Sequence, residues 1–317
     1  MYLIVTGAAG WLGQYICREA QHRKWHVIGI DITEPAQGCS EFFQSDITSP
    51  IRVELPRHDN TALVHCAGYV HKAHETEKNK SQFYAVNSAG TRNVLDWCRQ
   101  ECIQRLVYLS TISVYDWQRS ELPAPERAPL KLDTHYARSK YEGEEAVLSS
   151  GMDACALRMA TVFGTGDCAM FSKLAKALKA RRFIMPGQGA ARKSVIPVDL
   201  AAKLIVDIVS LPEIPHEPVN ISLPKPPTLG EICTAYSEHC GFAFPPQLPS
   251  PLLTVIGAVG SLLDSLCGHC PITLAEVRKL QTTTIVAVNR MNQYLPGRAF
   301  PSFSEALATH RGYYRDI

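Results

Sequence analysis

Between residues 6 and 13 the chain reads Thr6-Gly7-Ala8-Ala9-Gly10-Trp11-Leu12-Gly13, with an apolar run before it and a helical stretch after it. Few sequences constrain a fold as tightly. Gly7 permits a sharp turn, Gly10 lets backbone approach a diphosphate, and Gly13 allows a helix to pack closely on a strand. The first turn of that helix, which holds Trp11 and Leu12, offers backbone N–H groups at the positive end of its dipole. A glycine motif alone is weak evidence. Here Tyr2–Thr6 reads as the strand before it and His26–Asp31 as a second strand, ending on an acidic residue. Asp31 is placed to accept hydrogen bonds from the ribose hydroxyls of an adenosine. Its carboxylate repels a 2′-phosphate and no Arg follows it at once, so NAD is favoured over NADP.

The alternation continues. Trp11–Arg23 has helical spacing, Ala62–Cys66 reads as a buried strand, Ser81–Cys102 as one long helix, Arg105–Ser110 as a strand, Asp133–Ser149 as a helix and Ala154–Arg158 as a strand. Such alternation implies parallel βαβ units in an α/β, doubly wound parallel sheet. After about Phe163 the pattern loosens. A helix at Met170–Ala180, a strand at Ser194–Pro197 and a helix at Val198–Ser210 are separated and followed by proline clusters. The expectation is a dinucleotide-binding domain over 1–162 and a smaller C-terminal substrate-binding lobe over 163–317, with some segments returning to the sheet.

Composition excludes several classes. Lys+Arg 32 against Asp+Glu 30 gives a net charge of +2, so no broad field points to nucleic acid. The start of the chain lacks the form of a signal peptide. Leu252–Leu263 is apolar but too short to span a bilayer, and reads as a buried or interfacial helix, with membrane association as the lesser alternative. Eleven scattered cysteines suit reduced thiols and a cytoplasmic location. Cys98 and Cys102 sit one turn apart like a helix face. Cys267 and Cys270 form a lone CxxC, short of the four ligands of a structural zinc, so no metal is expected.

Tyr136-Ala-Arg-Ser-Lys140 places a phenol and an ammonium at i and i+4, on one helix face. A free tyrosine has a pKa of ~10. A nearby ammonium and an oxidised nicotinamide favour the phenolate, which then serves as a general base on a hydroxyl. Upstream, Leu109-Ser110-Thr111-Ile112-Ser113 closes a strand with clustered hydroxyls. Thr111 is placed to orient the reacting oxygen, with Ser110 and Ser113 as alternatives. Asp46, followed by Ile47, lies near an adenine or caps a helix. Cys66-Ala67-Gly68 follows a strand with small residues, as expected where backbone passes a cofactor. Asn87 is either part of that site or a surface residue.

Together TGAAGWLG, Asp31, Asp46-Ile47, HCAG, Asn87, LSTISVY, YARSK and the Leu157–Gly164 segment resemble the extended short-chain dehydrogenase/reductase superfamily, in its NAD-dependent epimerase/dehydratase branch. The likeness covers about the first 200 residues and implies a Rossmann-type domain. By that resemblance Thr111, Tyr136 and Lys140 are catalytic, and Lys140 also holds the nicotinamide ribose. Gly7, Gly10, Trp11, Leu12, Gly13, Asp31, Asp46, Ile47, Cys66, Ala67, Gly68, Asn87 and Ser110 then surround the cofactor. The substrate side takes Thr111, Thr161, His71 (with His74 nearby) and Arg192, which has the charge and fork geometry for a diphosphate. The histidines and Arg192 equally suit solvent-facing loops. Members that dehydrate hexoses carry Asp-Glu after the catalytic Thr, where this chain has Ile112 and Ser113, so a 4,6-dehydratase is not expected. Met170 stands where such enzymes often have a substrate-binding Asn. What remains is a nucleoside-diphosphate-sugar 4-epimerase or, alternatively, a reductase or dehydrogenase of a 4-keto sugar or a 3β-hydroxysteroid-like alcohol. A homodimer through the helices at Ser81–Cys102 and Asp133–Ser149 is also implied.

Overall fold

The computed structural model describes residues 1–55, 58, 60–70, 77–267 and 273–317. In chain order the first elements are β1 (Tyr2–Thr6), α1 (Trp11–His22), β2 (His26–Asp31), β3 (Glu41–Gln44), β4 (Thr61–His65) and α2 (Glu77–Tyr84). A π-helical turn (Ala85–Gly90) leads into α3 (Thr91–Gln100), β5 (Arg105–Thr111), α4 (His135–Leu148), β6 (Asp153–Met159) and β7 (Thr161–Phe163). Then come α5 (Met170–Lys179), β8 (Met185–Pro186), β9 (Val195–Pro197), α6 (Val198–Val209) and β10 (Pro218–Ile221). The last are α7 (Leu229–Cys240), β11 (Gln247–Leu248), α8 (Ser250–Cys267), α9 (Leu274–Gln281), α10 (Asn289–Tyr294), α11 (Phe303–Thr309) and α12 (Arg311–Asp316).

Seven strands form one sheet in the order β10-β6-β5-β4-β1-β2-β3, all parallel. From β1 the chain winds one way through β2 and β3, then returns to β4 on the other side. That reversal leaves a crevice at the carboxyl ends of β1 and β4, where open α/β sheets bind ligands. The strands read as unbroken apolar runs because helices cover both faces of a parallel sheet. Leu3, Ile4, Val5, Leu63, Val64, Leu106 and Val107 are all fully buried.

The chain divides into two compact units. One comprises Met1–Val162, Val198–Ile221 and Ala287–Arg298; the other comprises Phe163–Pro197, Ser222–Val286 and Ala299–Ile317. In the first unit, α6 packs on α1 and β10 extends the sheet beside β6. The second unit is held by well-capped helices. Thr228 and Glu231 form a capping box at the start of α7, Gly241 ends it in the left-handed region, and Ser302 with Glu305 repeats the box on α11.

Several expectations need correction. The single helix over Ser81–Cys102 is three segments, because the ladder opens into a π turn around Asn87. Cys102 lies past the end of α3 with φ 57 and is exposed while Cys98 is buried, so the two do not share a helix face. Strands β3 and β10 went unread: β3 is a four-residue edge strand without alternation, and β10 opens on Pro218, which an edge strand tolerates. The apolar stretch in α8 is helical but only one side is covered. Leu253 is buried, whereas Leu252, Val255, Val259 and Leu262 face outward. No helix among the described residues is long and apolar enough to cross a membrane.

Candidate active site

The crevice begins at the glycine turn. Gly7 has φ 74, and a Cβ there would lie 2.5 Å from the Ala67 nitrogen. A Cβ on Gly13 would lie 2.0 Å from the Gly7 carbonyl oxygen. Helix α1 therefore sits directly on the turn, which in turn sits on the Cys66-Ala67 backbone; only glycine fits at either point. Gly10 is the N-cap of α1 and contributes no side-chain cap to the first turn, which holds Trp11 and Leu12. Such a turn suits a diphosphate.

Asp31 ends β2 beside this turn. One of its carboxylate oxygens accepts from the Ala9 N–H at 2.9 Å and the other from the Ile32 N–H at 2.7 Å. These bonds fix the carboxylate at the rim of the glycine turn, where it is partly exposed. Asp46 is exposed and its carboxylate accepts from the Thr48 N–H at 2.9 Å, so its side chain stiffens a turn. Ile47 is buried in the core with Ile4, Ile28 and Trp97. Of this pair the structure thus commits Asp46 locally and sends the Ile47 side chain inward.

Helix α4 starts where the Thr134 hydroxyl accepts from the Ala137 N–H. Its Tyr136 and Lys140 rise one above the other. Tyr136 is half-buried against Phe83, and its phenol lies beside the Thr111 side chain at the end of β5. Thr111 is anchored in turn, accepting from the Ser113 N–H at 3.1 Å. Burial pushes the Tyr136 phenol above its ordinary pKa, and the neighbouring Thr111 hydroxyl pulls it back. Lys140 is buried, with Nζ 4.2 Å over the ring of Tyr108. Burial brings its ammonium down to about 8, while the neighbouring Cys66 and Glu144 pull it the other way. A Cβ on Gly68 would sit 3.6 Å from Lys140 Nζ and 3.3 Å from Asn87 Oδ1. Glycine turn, Asp31, Cys66-Ala67-Gly68, Thr111, Tyr136 and Lys140 are thereby gathered at the carboxyl ends of the strands.

Asn87 is buried and fully employed. Its Oδ1 accepts from the Tyr69 N–H at 2.7 Å, while Nδ2 donates to the Tyr69 carbonyl and to Ser139 Oγ at 3.0 Å. It clamps the chain after Gly68 to α4. Ser110 donates its hydroxyl to Glu144 at 2.5 Å, so Thr111 is the hydroxyl of that pair aimed at Tyr136.

The residues that sequence reasoning passed over lie beneath. Glu144 accepts from Arg158 at 2.5 Å, with both side chains almost wholly buried. Arg158 also donates to Tyr115 Oη, which donates to Asn220. The network ties α4 to β5, β6 and β10 under the phenol and ammonium. One signal was present: Glu144 follows Tyr136 and Lys140 at four-residue steps, on the same face. Gly143 matters as well, since a Cβ there would lie 2.5 Å from the Asn87 carbonyl oxygen and from Tyr108 Oη. Thr161 opens β7 and is half-buried. Arg192 belongs to the second unit and is exposed, its N–H bonded to Thr283 Oγ1 at 3.2 Å. His71 and His74 lie outside the described residues, as does Cys270. Among the described residues no cluster suits a metal ion.

A doubly wound sheet with a glycine turn, a carboxylate after its second strand and a Thr/Tyr/Lys set defines the extended short-chain dehydrogenase/reductase class. The family model for the NAD dependent epimerase/dehydratase family matches residues 3–222, and the chain belongs to that family; it is an NAD-dependent enzyme. Human short-chain dehydrogenase/reductase family 42E member 1 is 26% identical over 331 residues, covering 94% of this chain and 84% of the relative. The 3 beta-hydroxysteroid dehydrogenase/Delta 5-->4-isomerase of Mycobacterium tuberculosis is 29% identical, covering 60% of this chain and 55% of its own. Among solved structures, the UDP-glucuronic acid 4-epimerase from Bacillus cereus, in complex with UDP-glucuronic acid and NAD, superposes with a TM-score of 0.75 at 18% identity, covering 100% and 99% of the chains.

Proposed function

We propose that this enzyme is a nucleoside-diphosphate-sugar 4-epimerase in which Thr111, Tyr136 and Lys140 act on the C4 hydroxyl. The observation that carries it is the placement of Thr111 and Lys140 around the Tyr136 phenol at the carboxyl ends of the strands, with Lys140 Nζ beside Gly68. In this reading Thr111 orients the reacting oxygen, Tyr136 takes its proton, and Lys140 steadies the phenolate and binds the nicotinamide ribose. Bound NAD supplies the reversible hydride acceptor and, when oxidised, a positive charge near the phenol. The protein's own groups leave the Tyr136 phenol high, and a bound, oxidised cofactor would favour its phenolate. Gly7, Gly10 and Gly13, with the N–H groups of Trp11 and Leu12, hold the diphosphate, and Asp31 holds the adenosine ribose. Cys66, Ala67, Gly68, Asn87, Ser110, Asp46 and Ile47 shape the walls, mainly through backbone. His71, Thr161 and Arg192 are assigned to the substrate side, and a homodimer through the helical segments over Ser81–Cys102 and Asp133–Ser149 completes the reading.

The fold likeness to a UDP-sugar 4-epimerase supports this reading. The relationship to a hydroxysteroid dehydrogenase favours a second one, a single oxidation or reduction by the same three residues. Proton NMR of UDP- and dTDP-hexoses incubated with enzyme and trace NAD separates them. A C4 epimer without net NADH supports the first; no epimer, with stoichiometric NADH made from a sterol or consumed by a keto sugar, supports the second.

A further inference from the structure

Two thiols of the first unit face each other. Cys17 lies on the buried side of α1, and Cys39 stands in the connection between β2 and β3. Their Sγ atoms are in contact at 3.8 Å, and both are free thiols. Two glycines hold the connection there. Gly38, at φ 98, is close enough that a Cβ would lie 3.0 Å from the Cys17 Cβ, and a Cβ on Gly29 would lie 2.5 Å from Cys39 Sγ. A disulfide has its sulfurs about 2.05 Å apart, so the two sulfurs must approach by roughly 2 Å from their 3.8 Å separation.

The two differ in access. Cys39 is half-exposed and Cys17 is fully buried, which gives one thiol that solutes reach and one that is sheltered behind it. The contact with Cys17 holds the Cys39 thiol below its ordinary pKa, while that same contact and burial push Cys17 up.

We propose that Cys17 and Cys39 are a thiol–disulfide site, closed by exchange with a small-molecule disulfide such as oxidised glutathione. The Cys39 thiolate attacks one sulfur of the glutathione disulfide, forming a mixed disulfide and releasing one glutathione thiolate. The Cys17 thiol, losing its proton, then attacks Cys39 Sγ; the intramolecular bond forms and the second glutathione leaves as a thiol. Two protein thiols are oxidised and one glutathione disulfide is reduced to two thiols. The bond fastens α1, which opens on the Gly7–Gly13 turn, to the segment that leaves Asp31. It closes a loop spanning 22 positions of sequence, which restrains the unfolded chain.

The test is incubation of the full-length protein with oxidised glutathione, then alkylation and digestion without reduction. The expected products are a peptide pair joined through Cys17 and Cys39, an intact mass lower by two hydrogens, and a Tm several degrees above that of the dithiothreitol-treated protein. Cys39→Ser, at the half-exposed position, loses both the link and the Tm rise. The proposal is overturned if Cys39 stops at a stable glutathione adduct, if the link runs from Cys17 to Cys66 instead, or if neither thiol reacts.

Discussion

Thr111 and Tyr136 lie on different elements, the end of β5 and the first turn of α4, yet the Thr111 side chain lies beside the Tyr136 phenol and favours its phenolate. Replacing either tests the same chemistry from opposite sides. Tyr136→Phe is expected to lower kcat by about 10²–10⁴, the usual contribution of a general base, while NAD binding stays within a few-fold by fluorescence titration. Thr111→Val should lower kcat less, because the phenol remains. Full activity in Tyr136→Phe would remove tyrosine from the mechanism.

The carboxylate of Asp31 reaches toward the glycine turn and is held by the backbone N–H groups of Ala9, Ile32 and Thr33. Hydrogen bonds to a charged group contribute about 1.5–3 kcal/mol. Asp31→Asn should therefore weaken NAD about 10- to 100-fold and narrow the preference over NADP. Calorimetric titration with both cofactors checks this; unchanged NAD affinity would place the ribose elsewhere.

His65 is fully buried between two hydroxyls, with Nδ1 2.7 Å from Thr6 Oγ1 and Nε2 3.0 Å from Thr91 Oγ1. Burial, reinforced by the charge of Lys140, lowers its pKa to about 3, against ~6.5 in an unfolded chain. Between those values the unfolded state binds the extra proton, so stability falls as pH drops below ~6.5, by up to about 1.4 kcal/mol per unit. Urea midpoints from pH 7 to 4.5 should decline, and less steeply in His65→Gln. Parallel profiles for the two proteins would clear His65 of the effect.

The Glu144–Arg158 pair is almost solvent-free, at 2% and 4% side-chain exposure. Removing one partner leaves the other charge buried, at a cost of about 3–5 kcal/mol. Glu144→Gln and Arg158→Met are each expected to lower the denaturation midpoint strongly, and the double variant to be less destabilised than the two single losses together. Strict additivity would mean the pair is not coupled.

Much of this protein was legible in its local order. Strands buried on both faces must be apolar throughout, so β1, β2, β4, β5 and β6 stand out within a residue or two. The glycine turn is legible because it depends on conformations that single residues permit: Gly7 at positive φ, Gly13 with no room for a Cβ. The spacing of Tyr136 and Lys140 is likewise a property of one helix.

What tertiary structure decided is everything that joins residues far apart in sequence. Nothing near Asn87 indicates that its amide reaches Tyr69 and Ser139, or that the helix opens into a π turn around it. Arg158 looks misplaced in an apolar strand until Glu144, Tyr115 and Asn220 arrive from three other elements. The opposition of Cys17 and Cys39 likewise appears only when the connection after β2 folds back on α1. Backbone propensity and periodicity act over a few residues and are written along the chain. Burial of polar and charged groups is resolved by whichever partners the packed sheet brings within hydrogen-bonding reach, and that is set by topology.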